Sequence, residues 1–282
     1  MAISTQMVRE LRDLTGAGMM DCKKALEAAN GSIEAAIDHL RKAGMKSAGK
    51  KAQRETTEGR VFAVVTPDRR RGHLAGVACE TDFLAKGENF GAFVRGISDH
   101  VAARDPSDAA GLLAQGWRSG GTVADAVREA VGQFGENIRI AELARLENAA
   151  GRIGSYVHHD NKQGAIVSVT TDAPAGAVGD VLKSLCQHIV VFLPAYATRE
   201  DVPADVVEHE RAVLRESDEV KKKPAELRNK IVEGKLAKFY AGCVLEEQPW
   251  IHDDGTSVRK ALQKALGPEA RVQAFRRVRL GG

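Results

Sequence analysis

Val61-Phe62-Ala63-Val64-Val65 and Leu74-Ala75-Gly76-Val77-Ala78-Cys79, separated by a polar turn from Pro67 to Gly72, decide the fold. Two short apolar runs rich in β-branched residues, around a turn holding proline and glycine, read as a β-hairpin. A helical stretch follows, with Phe90, Phe93, Val94, Ile97 and Val101 on one face. The same order returns later in the chain. Ile153-Gly154-Ser155-Tyr156-Val157, a turn through Asp160-Asn161-Lys162, and Ala165-Ile166-Val167-Ser168-Val169 form a second hairpin. Val181, Leu182, Leu185, Ile189 and Val190 then line a second helix. Two copies of hairpin plus helix predict an α+β core of two related subdomains, residues 60–148 and 149–282.

Within the first copy, Thr122-x-x-Asp125 has the form of a capping box opening a helix through Val123, Ala126, Val127 and Val131. That helix leads to a strand at Asn137-Ile138-Arg139-Ile140-Ala141. The second copy carries two charged helical segments, 206–222 and 224–240, with Pro224 suited to a first helical turn. They predict an antiparallel helical hairpin over about 205–240, with Lys221-Lys222-Lys223 as a solvated turn at its tip. One more helix and a terminal strand occupy Val258 to Leu280.

Upstream of the core, residues 1–44 read as three short helices. The first carries Val8, Leu11 and Leu14, and Gly16 and Gly18 break it after Thr15. Met19 and Met20 follow side by side, where a helix buries at most one and the other faces water or a partner. The second helix carries Ala25, Leu26 and Ala29 and stops at Asn30-Gly31. Ser32 caps the third, which bears Ile33, Ala36, Ile37 and Leu40 and should end at Gly44. Residues 45–59 lose periodicity and gain Lys46, Lys50, Lys51 and Arg54, which predicts a solvated linker. Gly44 to Lys51 matches a phosphate-binding loop except at its last position, but a helix precedes it and Lys51 stands where a Ser or Thr is required.

The chain has 41 basic and 38 acidic residues, a formal charge of only +3, which argues against a dedicated nucleic-acid binder. Hydrophobic residues make up 43% and charged ones 28%, which excludes wholesale disorder. Cys22, Cys79, Cys186 and Cys243 are scattered, so they read as reduced thiols rather than a zinc site or a disulfide framework. The first five residues lack a basic start and an apolar core, and no apolar run approaches the roughly 20 residues of a membrane span. The cytoplasm is the expected location.

No enzyme signature survives inspection: there is no activated serine motif, no paired metal-binding histidines on a helix, and no dinucleotide loop. No cofactor and no metal are expected. His158-His159 before Asp160 falls on a hairpin turn, where adjacent side chains should point opposite ways. Cys79-Glu80-Thr81-Asp82-Phe83-Leu84 leaves a strand for a loop. The residues alone favour Phe83 folded into the core and Asp82 capping the next turn, over an exposed pair.

The run Leu11-Arg12-Asp13-Leu14-Thr15-Gly16-Ala17-Gly18-Met19-Met20-Asp21-Cys22 resembles the N-terminal signature of the bacterial elongation factor Ts family. So do Thr81-Asp82-Phe83, Ser155-Tyr156-Val157-His158, and Val232-Glu233-Gly234-Lys235-Leu236. The resemblance implies a ubiquitin-associated-like three-helix domain that docks on a GTPase, followed by the two-subdomain core. It implies a guanine nucleotide exchange factor that releases GDP from elongation factor Tu without binding nucleotide itself. Residue by residue, it assigns Asp82 and Phe83, with Thr81, to intrusion near the GTPase magnesium. Docking falls to Arg12, Met19, Met20 and His158. An alternative from the residues is an adaptor whose helical domain binds a ubiquitin-like or RNA partner. Such an adaptor has no need of an Asp-Phe wedge on a second domain.

Overall fold

The computed structural model describes residues 3–281, without the side chains at 45–48 and 50. Three helices come first: α1 (Thr5–Thr15), α2 (Met19–Ala28) and α3 (Ile33–Lys51). Their small core is Val8, Leu11, Ala17, Cys22, Leu26 and Ala36. The Ser4 hydroxyl caps α1, and the Ala35 N–H donates to the Ser32 hydroxyl at the start of α3. Leu14, expected on the buried stripe, is 63% exposed, because the stripe on α1 is satisfied by Val8 and Leu11. α3 does not end at Gly44 but continues to Lys51, so the expected linker 45–59 begins as helix. The expected solvation of Lys46 and Lys50 lies outside the described side chains.

The first sheet is built from β1 (Glu58–Val65), β2 (Arg71–Cys79) and β3 (Arg139–Glu147), in the order β1-β2-β3 and antiparallel throughout. Between β2 and β3 come α4 (Asp82–Lys86), α5 (Glu88–Arg104), α6 (Ala109–Ala114) and α7 (Val123–Phe134). The Thr122–Asp125 capping box opens α7 as the sequence predicts. Phe90, Val94, Ile97 and Val101 of α5 and Val127 and Val131 of α7 cover one face of this sheet.

The second sheet repeats the arrangement with β4 (Gly151–Val157), β5 (Gln163–Thr170) and β8 (Arg271–Arg279), ordered β4-β5-β8. α8 (Gly179–Phe192), α9 (Ala204–Glu216), α10 (Asp218–Lys221), α11 (Ala225–Cys243), the short pair β6 (Pro249–Trp250) and β7 (Asp253–Ser257), and α12 (Val258–Leu266) lie between β5 and β8. Leu182, Leu185 and Ile189 of α8 and Val258 and Leu262 of α12 pack on it. The predicted helical hairpin is present, but its first arm breaks at Ser217, whose extended backbone separates α9 from α10. Alternate residues of the strands face the other way. Val61, Leu74, Ile153, Ile166 and Val278 make one apolar layer between the two sheets. The order is helices, sheet, sheet, helices, and both faces of β2 are buried. Cys22, Cys79 and Cys186 are buried free thiols, and Cys243 is half-buried.

Candidate functional site

β2 leaves the core at Cys79, and the next four residues turn into α4. Thr81, not Asp82, is the cap: its hydroxyl accepts from the Leu84 N–H at 3.3 Å. Asp82 instead occupies the first helical turn and accepts from the Lys86 ammonium at 2.7 Å. That hydrogen bond and charge hold the Asp82 carboxyl below the usual carboxylate range. The favoured placement of Phe83 in the core is overturned. Its side chain is 86% exposed, because Ala85, two residues on, supplies the buried contact of so short a helix.

An exposed aromatic on a five-residue helix needs a rigid mount, and Glu136 provides it. Its carboxylate accepts the Glu80 N–H at 3.0 Å, the Thr81 N–H at 2.9 Å and the Thr81 hydroxyl. Glu80 in turn accepts the Asn137 N–H at 2.6 Å, so the loop and the end of α7 bind each other reciprocally. On the far side, the Arg60 guanidinium of β1 donates to the Ala85 carbonyl at 2.6 Å and to the Gly87 carbonyl at 3.3 Å. Burial pushes the Cys79 thiol up to about 12, so it stays protonated beside the loop.

His158 stands just beyond β4, its Nδ1 3.0 Å from the Tyr156 hydroxyl. His158 and His159 do not point apart as expected. Their rings lie 4.2 Å apart, because regular strand geometry ends at Val157 and a tight turn through left-handed Asn161 begins. The turn is tied to the first sheet: Val61 N–H donates to the Asn161 carbonyl at 2.7 Å, and Lys162 pairs with Glu58 at 2.6 Å. β1 thus supports both α4 and this turn. Between them lies a cleft of about 280 Å³ lined by Asp82 and Lys86 on one side and Asp160, Asn161 and Lys162 on the other.

Arg12 is exposed in the last turn of α1, and Gly16, at φ 66°, sends its N–H back to the Arg12 carbonyl at 2.6 Å. Glycine tolerates that left-handed conformation best. Met19 and Met20 open α2 at 39% and 63% exposure, so neither is buried. With Leu14 they leave three flexible or branched apolar side chains in water around one turn. A Cβ on Gly16 would stand 2.3 Å from the Gln133 side-chain nitrogen, so this turn sits on α7. Gln133 and Glu136 are three residues apart. One helix end therefore carries both the methionine turn and the Thr81–Phe83 loop.

Sequence reasoning missed Glu136 and Gln133, whose only local signal is a glycine at 135 closing an amphipathic helix. Among the described residues, no group of three His, Cys, Asp or Glu side chains could hold a metal ion. No described helix is long and apolar enough to cross a membrane.

The model of the family described as Elongation factor TS matches residues 80–282, beginning at the loop that carries Phe83. The chain belongs to the elongation factor Ts family. An elongation factor Ts of Trichlorobacter lovleyi is 38% identical, the alignment covering all of this chain and 93% of that protein. One from Aquifex aeolicus is 37% identical over all of this chain and 99% of its own length. One from Streptomyces avermitilis reaches 40% over 97% of each. These full-length matches extend the likeness through the three N-terminal helices that the family model leaves uncovered. Membership makes the chain a translation elongation factor, as the sequence motifs implied.

Proposed function

We propose that this protein is a guanine nucleotide exchange factor that binds elongation factor Tu in the cytoplasm and promotes GDP release, with no covalent chemistry of its own. The observation that carries the reading is Phe83, 86% exposed on a helix whose loop is fixed by Glu136. Burying such a side chain in a partner is worth about 1.5–3 kcal/mol. The folded chain leaves that free energy unused until a partner is bound.

The partner holds GDP through its phosphates and a magnesium ion. An exchange factor has only to bind the nucleotide-free form more tightly than the GDP-bound form. Phe83 enters as the wedge that displaces elements beside the nucleotide, and the ionised Asp82 carboxylate competes for the groups that organise magnesium. Thr81 fixes the start of that helix. Arg12, Met19 and Met20 dock the three-helix unit, and His158, just beyond β4, adds a contact from the second sheet. Linkage makes the effect reciprocal, so GDP weakens the factor by the same factor by which the factor weakens GDP.

The decisive experiment loads elongation factor Tu with fluorescent GDP and follows its release on adding this protein. Acceleration at micromolar concentrations is expected. Release at the intrinsic rate would refute the proposal.

A further inference from the structure

Exchange by this route requires the methionine turn and Phe83 to meet one partner surface at the same time, although more than 60 residues of chain separate Met20 from Phe83. A solvated tether between them would leave their spacing to chance. α3 instead lies along α7 through a series of contacts that advance together on both helices. Arg41 pairs with Glu129. Three residues further on each helix, Gly44 meets Gly132, where a Cβ on Gly132 would come within 2.4 Å of the Gly44 Cα. No side chain fits between the two backbones there. Lys51 then donates to the Gly135 carbonyl at 2.7 Å, at the negative end of α7. Asn137, next to Glu136, donates to the Arg54 carbonyl at 2.8 Å.

We infer that the Gly44–Gly132 crossing, latched by Arg41 and Glu129, is a positioning element that fixes Arg12, Met19 and Met20 relative to Phe83 before the partner arrives. The inference rests on the exchange reading above. The latch touches no part of the wedge, so it acts on how readily the factor binds and not on how fast bound factor expels GDP. Holding two contact patches in their bound spacing lowers the ordering cost of association. If loosening leaves the competent arrangement about one-tenth populated, apparent affinity falls about tenfold.

Gly132→Ala tests this directly. Alanine favours the helix over glycine, so α7 still forms, while the added Cβ forces α3 away. The half-saturating concentration in GDP release should rise about tenfold with the maximal rate unchanged. Hydrogen exchange along residues 41–51 should be slow in the native protein and fast in the variant. Glu129→Arg, at an exposed pair, should raise the half-saturating concentration about threefold, the expected scale for a surface ion pair. Adding Arg41→Glu to it should restore the native value. An unchanged half-saturating concentration in Gly132→Ala, a fall in maximal rate instead, failed rescue by the charge swap, or unprotected amides at 41–51 in the native protein would each overturn the inference. If the native protein fails to accelerate GDP release, the exchange reading falls, and slow hydrogen exchange at 41–51 still reports the crossing itself.

Discussion

The two sheets are built on one frame, hairpin, covering helix, second covering helix and third strand, but the chain is lengthened at different joints. After β2 the chain makes the Thr81 turn and α4 before α5 begins. After β5 the corresponding joint is a plain loop through Asp172 to α8, and the extra length lies later, as the α9–α11 hairpin. The strand register slips at matching places, between Gly76 and Val77 in the first sheet and between Ser168 and Val169 in the second. The frame is shared and the additions differ. What distinguishes the halves chemically therefore sits in the additions, while the frame supplies a common core.

The largest expected effect tests that common core. Ile166 is fully buried in the layer between the sheets, clustered with strand residues of both. Ile166→Ala should cost about 2–5 kcal/mol and lower one calorimetric transition shared by both halves. Two separate transitions, only one of them shifted, would show that the halves are independent units joined by chain alone.

Next comes the joint that differs. Phe83→Ala should lower the maximal rate of GDP release by about a hundredfold, equivalent to about 2.7 kcal/mol. Stability should stay within about 0.5 kcal/mol of native, since an exposed side chain contributes little to folding. A change in the plain loop at the second copy's joint, Asp172→Ala, should alter neither. Equal loss of rate and stability in the Phe83 variant would return that residue to the core. A smaller effect should follow from Glu136→Ala, which strips the Thr81 loop of its acceptor. A fall of about tenfold in maximal rate is expected, with about 1–2 kcal/mol lost from stability. Unchanged exchange would mean that Arg60 alone suffices to hold α4.

How much of this was legible depended on whether the decisive contact was local. Both hairpins, the α5 and α8 faces and the Thr122 cap are written in spacings of two to four residues, and all appear as read. The pairing of β3 and β8 with their hairpins spans some 60 to 115 residues and leaves no local trace. Gly44 was legible as a glycine, and a glycine after basic residues reads as a helix stop. Its reason for being small, Gly132, lies 88 positions away. Phe83 shows the same limit at the site. An aromatic next to a strand belongs in the core by default, and the mount that lets it stand in water comes from Arg60, 23 residues back, and Glu136, 53 residues on. Leu14 departs from its expected burial because apolar periodicity predicts which face is buried only when the partner element is wide enough to cover it.

The smallest effect separates the halves by their buried histidines. His73 on β2 has Asp105 at 3.2 Å, an aspartate that Arg145 also binds and holds down at about 2, with Arg71 nearby. His188 on α8 has no such partner. It is fully buried between Phe192 and Trp250, its Nε2 2.9 Å from Gln248 and its Nδ1 unpaired. Burial pushes both histidines below 6.5, so each is neutral in the folded chain where the unfolded chain takes up a proton. Stability is therefore level above pH 6.5 and falls as pH drops below it, by up to about 1.4 kcal/mol per unit for each group. A carboxylate can answer the charge on His73 but not on His188, so His188 should dominate. His188→Gln keeps a donor for Gln248 and cannot titrate. Denaturant unfolding at pH 6.5 and 5.5 should show the variant losing less stability than the native protein over that unit, by at most about 1 kcal/mol, and His73→Gln should change the slope by less. Equal slopes for the two variants would mean that Asp105 offers His73 no relief, and that the halves respond to acid alike.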